Sequence, residues 1–126
     1  MKKLFTLSIL AFMLQSFTSL VGLEEVVSAL KNNNASQVAL YFDNTVDITL
    51  PEKSNSYSKS QAEVILRDFL SNNPVKSFEK IHKGDNNGSQ YCIGKLVTKT
   101  KVYRTTIFMK YKGDKQFLQE IRFENM

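Results

Sequence analysis

Apolar and polar positions along this chain fall into two regimes, a mostly helical spacing as far as Leu70 and an alternation in twos from Ser89 onward. The later regime is the clearer. Ser89 to Thr98, Val102 to Tyr111 and Gln116 to Glu124 are rich in β-branched and aromatic residues and are separated by short polar turns, which predicts three successive strands. In the last run Phe117, Ile121 and Phe123 share one parity and Glu120, Arg122 and Glu124 the other, the signature of a sheet buried on one face. Because Gly113 can supply the positive φ of a tight hairpin, the second and third runs are predicted to be antiparallel neighbours.

Upstream, Leu23, Val26, Val27 and Leu30 recur at i, i+3, i+4 and i+7, which predicts a short amphipathic helix stopped by Asn32-Asn33-Asn34. Asn34 with Gln37 forms a capping-box pattern for a second helix, whose inner face takes Val38, Tyr41 and Phe42. Thr45 to Leu50 alternates as a strand that Pro51 ends, and Glu52 to Tyr57 reads as polar loop. A second capping box, Ser58 with Gln61, opens the longest helix, with Ala62, Ile65, Leu66, Phe69 and Leu70 as its stripe and Asn72-Asn73-Pro74 as its stop. In Lys76 to Lys83, Phe78 and Ile81 disagree in parity, so this strand is expected to carry a bulge, and residues 84–88 are expected to turn into the terminal sheet. The sum is an α+β domain, a curved antiparallel sheet with N-terminal helices packed on its concave face.

That order of elements resembles the nuclear transport factor 2-like superfamily, a cone-shaped α+β barrel. More narrowly, Leu40-Tyr-Phe-Asp-Asn44, Tyr57-Ser-Lys-Ser-Gln-Ala62, Asn73-Pro-Val-Lys-Ser-Phe78, Tyr91-Cys-Ile-Gly94, Tyr103-Arg-Thr-Thr106 and Gln119-Glu-Ile-Arg-Phe123 resemble a small exported bacterial family, domain of unknown function 4783. The resemblance implies the fold across nearly the whole mature chain. It implies no activity, because function resides in sites and not in folds.

Lys2-Lys3 followed by the apolar run Leu4 to Leu14 is the charged and hydrophobic start of a secretory signal peptide, and the run is short of the roughly 20 residues a membrane span needs. Residues 1–22 are therefore read as a leader and 23–126 as a single domain, exported to the periplasm or beyond the cell, with no membrane span after cleavage. With hydrophobic residues at 42% and only 2 prolines, what remains can form one modest core. Losing Lys2 and Lys3 leaves 15 basic against 12 acidic residues, a net +3. Lys95, Lys99, Lys101, Arg104 and Lys110 alternate along strands instead of clustering, so a nucleic-acid partner is not indicated. Cys92 is the only cysteine, which excludes an internal disulfide and marks it as a small buried hydrophobe.

Chemistry-bearing residues are sparse. His82, the one histidine, shares parity with Phe78 but not with Ile81, so its direction is open; with a tyrosine it would supply acid–base chemistry only inside a desolvated pocket. Tyr91 and Tyr103 offer amphipathic contacts, Tyr41 reads as core, and Arg104 could meet an anionic ligand, although its place on a strand favours a solvent-facing role. Asp47 has the parity of the outer face; Asp43, Asp68 and Asp85 read as helix-end, helix and turn acids. Asn87-Gly88-Ser89 has the form of a glycosylation acceptor but reads as a turn. No metal-ligand spacing, no cofactor motif and no paired carboxylates occur.

The site candidates are thus His82, Tyr91, Tyr103 and Arg104 for ligand binding, with none catalytic. The function so read is a non-enzymatic exported domain binding a small molecule, a glycan or a protein partner through a concave pocket or the sheet face, with homodimerisation open. The alternatives are an isomerase-, dehydratase- or hydrolase-like enzyme using His82 and a tyrosine, and a structural oligomerising module. Mass spectrometry of the native mature protein is expected to show the loss of roughly 18 to 22 N-terminal residues; native soluble protein that retains Met1 would exclude the leader.

Overall fold

The computed structural model describes residues 22–126. Apart from Gly22, the expected leader lies outside the described residues. Three helices, α1 (Leu23–Lys31), α2 (Ala35–Ala39) and α3 (Lys59–Asn72), accompany six strands, β1 (Phe42–Leu50), β2 (Lys53–Ser58), β3 (Val75–Asn86), β4 (Ser89–Thr98), β5 (Val102–Lys112) and β6 (Lys115–Asn125). The strands form one sheet in the order β2-β1-β6-β5-β4-β3, antiparallel throughout except that β1 lies parallel to β6. No described helix is long and apolar enough to cross a membrane.

Local chemistry sets the helix boundaries. Asn34 Oδ1 accepts the Gln37 N–H at 3.1 Å, and Ser58 Oγ accepts the Gln61 N–H, so both expected N-caps form. α1 lacks a side-chain cap of its own. Its first N–H is taken instead from across the molecule: Leu23 N donates to Gln116 Oε1 at 3.1 Å, and Gln116 Nε2 donates to Gln90 Oε1 at 2.7 Å. Gly22 sits at φ 142° against that side chain, where a Cβ would collide with it.

The core lies between the helices and the inner face of the sheet. Val26, Leu30, Val38, Leu66, Leu96, Ile107, Leu118, Ile121 and Phe123 are fully buried. The Phe69 ring stacks on Phe123 with centroids 4.2 Å apart, and meets Tyr103 edge-on at 5.3 Å. Cys92 is buried here, and that burial pushes its thiol pKa up. One side-chain polar atom in this interior, the Thr105 hydroxyl oxygen, has no hydrogen-bond partner.

Bulges decide several directions that period two alone leaves open. The β3–β4 register slips between Lys80 and His82, so Lys80 pairs with Gly94 while His82 pairs with Ile93. Ile81 is the extra residue, and His82 is thereby sent to the face opposite Phe78. The β5–β6 register slips between Phe108 and Met109, where Gln119 is the extra residue in β6. Leu118 therefore occupies the core and Phe117 is half-buried on the outer face, which corrects the parity expected for Phe117. Glu52 to Tyr57, expected as loop, is largely β2, paired from Lys53 with Leu50 to Ser58 with Thr45. Apart from Tyr57, which packs against the core, its side chains are polar and exposed, so hydropathy gives it no period. Strand β3 runs further than expected, and only Asn87-Gly88, with Gly88 at φ 87°, makes the turn.

Replacing Phe123, 0% exposed, by Ala is expected to cost about 3 to 5 kcal/mol, whereas replacing exposed His82 by Ala is expected to stay within about 0.5 kcal/mol. Chemical denaturation of the two variants beside the parent checks this; a midpoint that moved for His82 alone would invert the assignment of the faces.

Candidate functional site

A general acid or base needs a desolvated cavity, and the cone interior is occupied by the side chains that hold the fold. Tyr103 is the one sequence candidate that points inward. It is 4% exposed, and its hydroxyl donates to Asn73 Oδ1 at 2.8 Å while Asn73 Nδ2 closes the end of α3 on the Phe69 carbonyl. Burial, with Glu52 adding to it, raises the Tyr103 pKa.

The other three candidates share the opposite, convex face. Cross-strand partners lie side by side on one face of a sheet, so the register defines rows of neighbours. One row runs Gly84, Tyr91, Phe108, Glu120; the next His82, Ile93, Thr106, Arg122; the next Glu79, Lys95, Arg104, Glu124. The Tyr91 ring lies over Gly84, where any Cβ would strike it, and its centroid is 6.1 Å from that of His82. Tyr91, Ile93, Val97, Val102, Phe108 and Phe117 are half-buried, and His82 and Arg104 are exposed. Arg122 Nε pairs with Glu120 Oε2 at 3.1 Å, but Lys95 and Arg104, directly opposite one another, form no ion pair among the described residues. Like charges directly opposite one another are mildly destabilising in a sheet, an effect that Glu79 beside Lys95 and Glu124 beside Arg104 offset. The face is thus an apolar band crossed by a charged row in which Lys95 and Arg104 stand between Glu79 and Glu124.

Two concavities lie on the helix side. A cleft of about 350 Å³ opens between the β1–β2 turn, the C-terminal half of α3 and the start of β5, lined in part by Glu52, Lys53, Asp68, Lys101 and Tyr103. A notch of about 190 Å³ lies between the α1–α2 loop and α3, where Arg67 donates to Ser36 Oγ at 3.3 Å and pairs with Glu63. Among the described residues no group of three or more His, Cys, Asp or Glu is placed to hold a metal ion.

The family profile described as "Domain of unknown function (DUF4783)" matches residues 23–124. The chain belongs to this family. A DUF4783 protein from Bacteroides uniformis, solved as a crystal structure, is 29% identical, with 84% of this chain and 98% of that one covered and a TM-score of 0.80. A DUF4783 protein from Bacteroides fragilis is 27% identical, covering 84% and 99%, at a TM-score of 0.78. Beyond DUF4783, a putative calcium/calmodulin-dependent protein kinase type II association domain from Thiobacillus denitrificans shares the fold at 7% identity, covering 82% and 90%, with a TM-score of 0.65. These neighbours place DUF4783 in the nuclear transport factor 2-like fold. No curated protein matches the sequence.

Sequence reasoning missed the most perturbed acid. Asp43, expected at a helix end, is 8% exposed on β1. Lys112 Nζ lies 2.9 Å from its Oδ1 and 2.8 Å from Oδ2, Gln119 Nε2 is 3.1 Å from Oδ2, and the Asn44 N–H donates to Oδ1 at 2.8 Å. The Lys112 hydrogen bond, opposed by burial and helped by Gln119 and the Asn44 amide, pulls this carboxyl down to about 2. A folded pKa below the unfolded one contributes stability above the unfolded value and loses it as pH falls through the folded value. Asp43→Asn is expected to cost roughly 1 to 2 kcal/mol at pH 7 and to flatten the loss of stability between about pH 4 and pH 2. Urea titrations across that range check it, and equal pH slopes for variant and parent would overturn it.

Proposed function

We propose that this DUF4783 protein is a non-enzymatic exported binding domain that works through its convex sheet face and takes a second copy of itself as partner. The observation that carries the reading is the half-buried band Tyr91, Ile93, Val97, Val102 and Phe108 beside unpaired Lys95 and Arg104, on a face that carries no described helix. Apolar positions that are only half-buried in the single chain gain when another surface excludes the remaining water. Charge supports a self-complementary contact. Arg104 lies directly opposite Glu124, so a two-fold axis along the strands between β5 and β6 sets Arg104 of each copy over Glu124 of the other. The neighbour from Thiobacillus denitrificans is itself described as an association domain.

The enzyme reading lacks a comparable support. His82 and Tyr91 sit together on the open outer face, away from the packed interior where a general acid or base would be desolvated.

Sedimentation equilibrium of the mature protein is expected to show a dimer, Arg104→Glu to weaken it, and the exchange Arg104→Glu with Glu124→Arg to restore it. A parent that stays monomeric at about millimolar concentration, where even weak interfaces assemble, would end the proposal.

A further inference from the structure

The rim cleft is independent of the convex face, being on the helix side of the sheet, and its lining has an electrostatic order. Asp68 and the last turn of α3 line part of it, and the carbonyl end of a helix adds partial negative charge to that of the carboxylate. Lys101, on the β4–β5 turn, lines it as well, while Glu52 and Lys53 stand at the β1–β2 turn. Ile65 and Leu50 make the floor apolar. Although acids and bases converge here, none of Glu52, Lys53, Asp68 and Lys101 belongs to an ion pair among the described residues. The volume, about 350 Å³, is in the range of small-ligand sites.

We infer that this cleft binds a small dipolar ligand, an amino acid or short peptide whose ammonium meets Asp68 and the α3 C-terminus and whose carboxylate meets Lys101, with an aliphatic side chain on the floor. Unpaired charges of both signs beside apolar Ile65 and Leu50 complement a ligand that carries both charges and an apolar side chain. A sugar is the poorer match: it leaves both charges uncompensated, and it finds no open ring to stack on, since Phe69 and Tyr103 are 7% and 4% exposed. Tyr103, held on Asn73, serves as a closed wall and not as a contact.

Calorimetric titration of the full chain with leucyl-leucine, its N-acetyl and C-amide forms, and glucose tests the inference. The free dipeptide is expected to bind, and blocking either end to weaken it about three- to tenfold, the range of a partly exposed ion pair. Asp68→Asn should remove the penalty for N-acetylation and Lys101→Gln that for amidation; both positions are exposed, so the fold is not at stake. Equal affinity for free and blocked dipeptides, binding of glucose in their place, or no heat with any probe up to about 10 mM, a weak limit for small ligands, would each overturn it. None of these outcomes bears on the dimer.

Discussion

The stack of Phe69 on Phe123 is the contact on which the rest of the molecule depends. It joins the last turn of α3 to the last strand, and Tyr103 braces it from β5. Aromatic pairs of this kind add about 0.5 to 1.5 kcal/mol to what burial alone provides. Its larger effect is spatial. Three rings occupy the middle of the cone, so the two surfaces proposed for recognition lie at the rim and on the outer face.

Curvature and surface composition come from the same one-residue insertions. A bulge bends its strand and also exchanges the faces of everything beyond it. At Ile81 that exchange carries His82 outward while Lys80 and Lys83 reach Glu24 on α1, at 2.9 Å and 3.4 Å. At Gln119 it moves Phe117 outward and frees the Gln119 amide to meet Asp43. The sheet could not have been straightened without also altering which side chains it presents.

What could be read from the sequence was whatever depends on near neighbours. The two caps at Asn34 and Ser58 rest on partners three residues away, and Ile121 with Phe123 follow from an unbroken alternation. The β3 bulge was legible because Phe78 and Ile81 disagree in parity. The Gln119 bulge was not, since Phe117 and Leu118 are both apolar and either could be the inner one. Strand β2 escaped because, Tyr57 apart, its side chains are polar on both faces and it is held by backbone pairing with β1. Asp43 escaped for a different reason: its partners Lys112 and Gln119 are 69 and 76 residues away, and hydropathy carries no record of them. The rim cleft likewise assembles charges from three separated turns and helix ends.

The position of β3 at the border of the sheet has a consequence for survival in a crowded compartment. A long outermost strand exposes a row of unmatched N–H and C=O groups, the template on which fibrils grow. Here that row is interrupted at two irregularities, near Lys76 and at Ile81, and Lys80 and Lys83 are drawn over the border toward Glu24. An incoming strand would have to break those ion pairs and still could not keep step for more than a few residues. The kinks that shape the sheet therefore also make this margin a poor seed, separate from the broad face proposed for pairing.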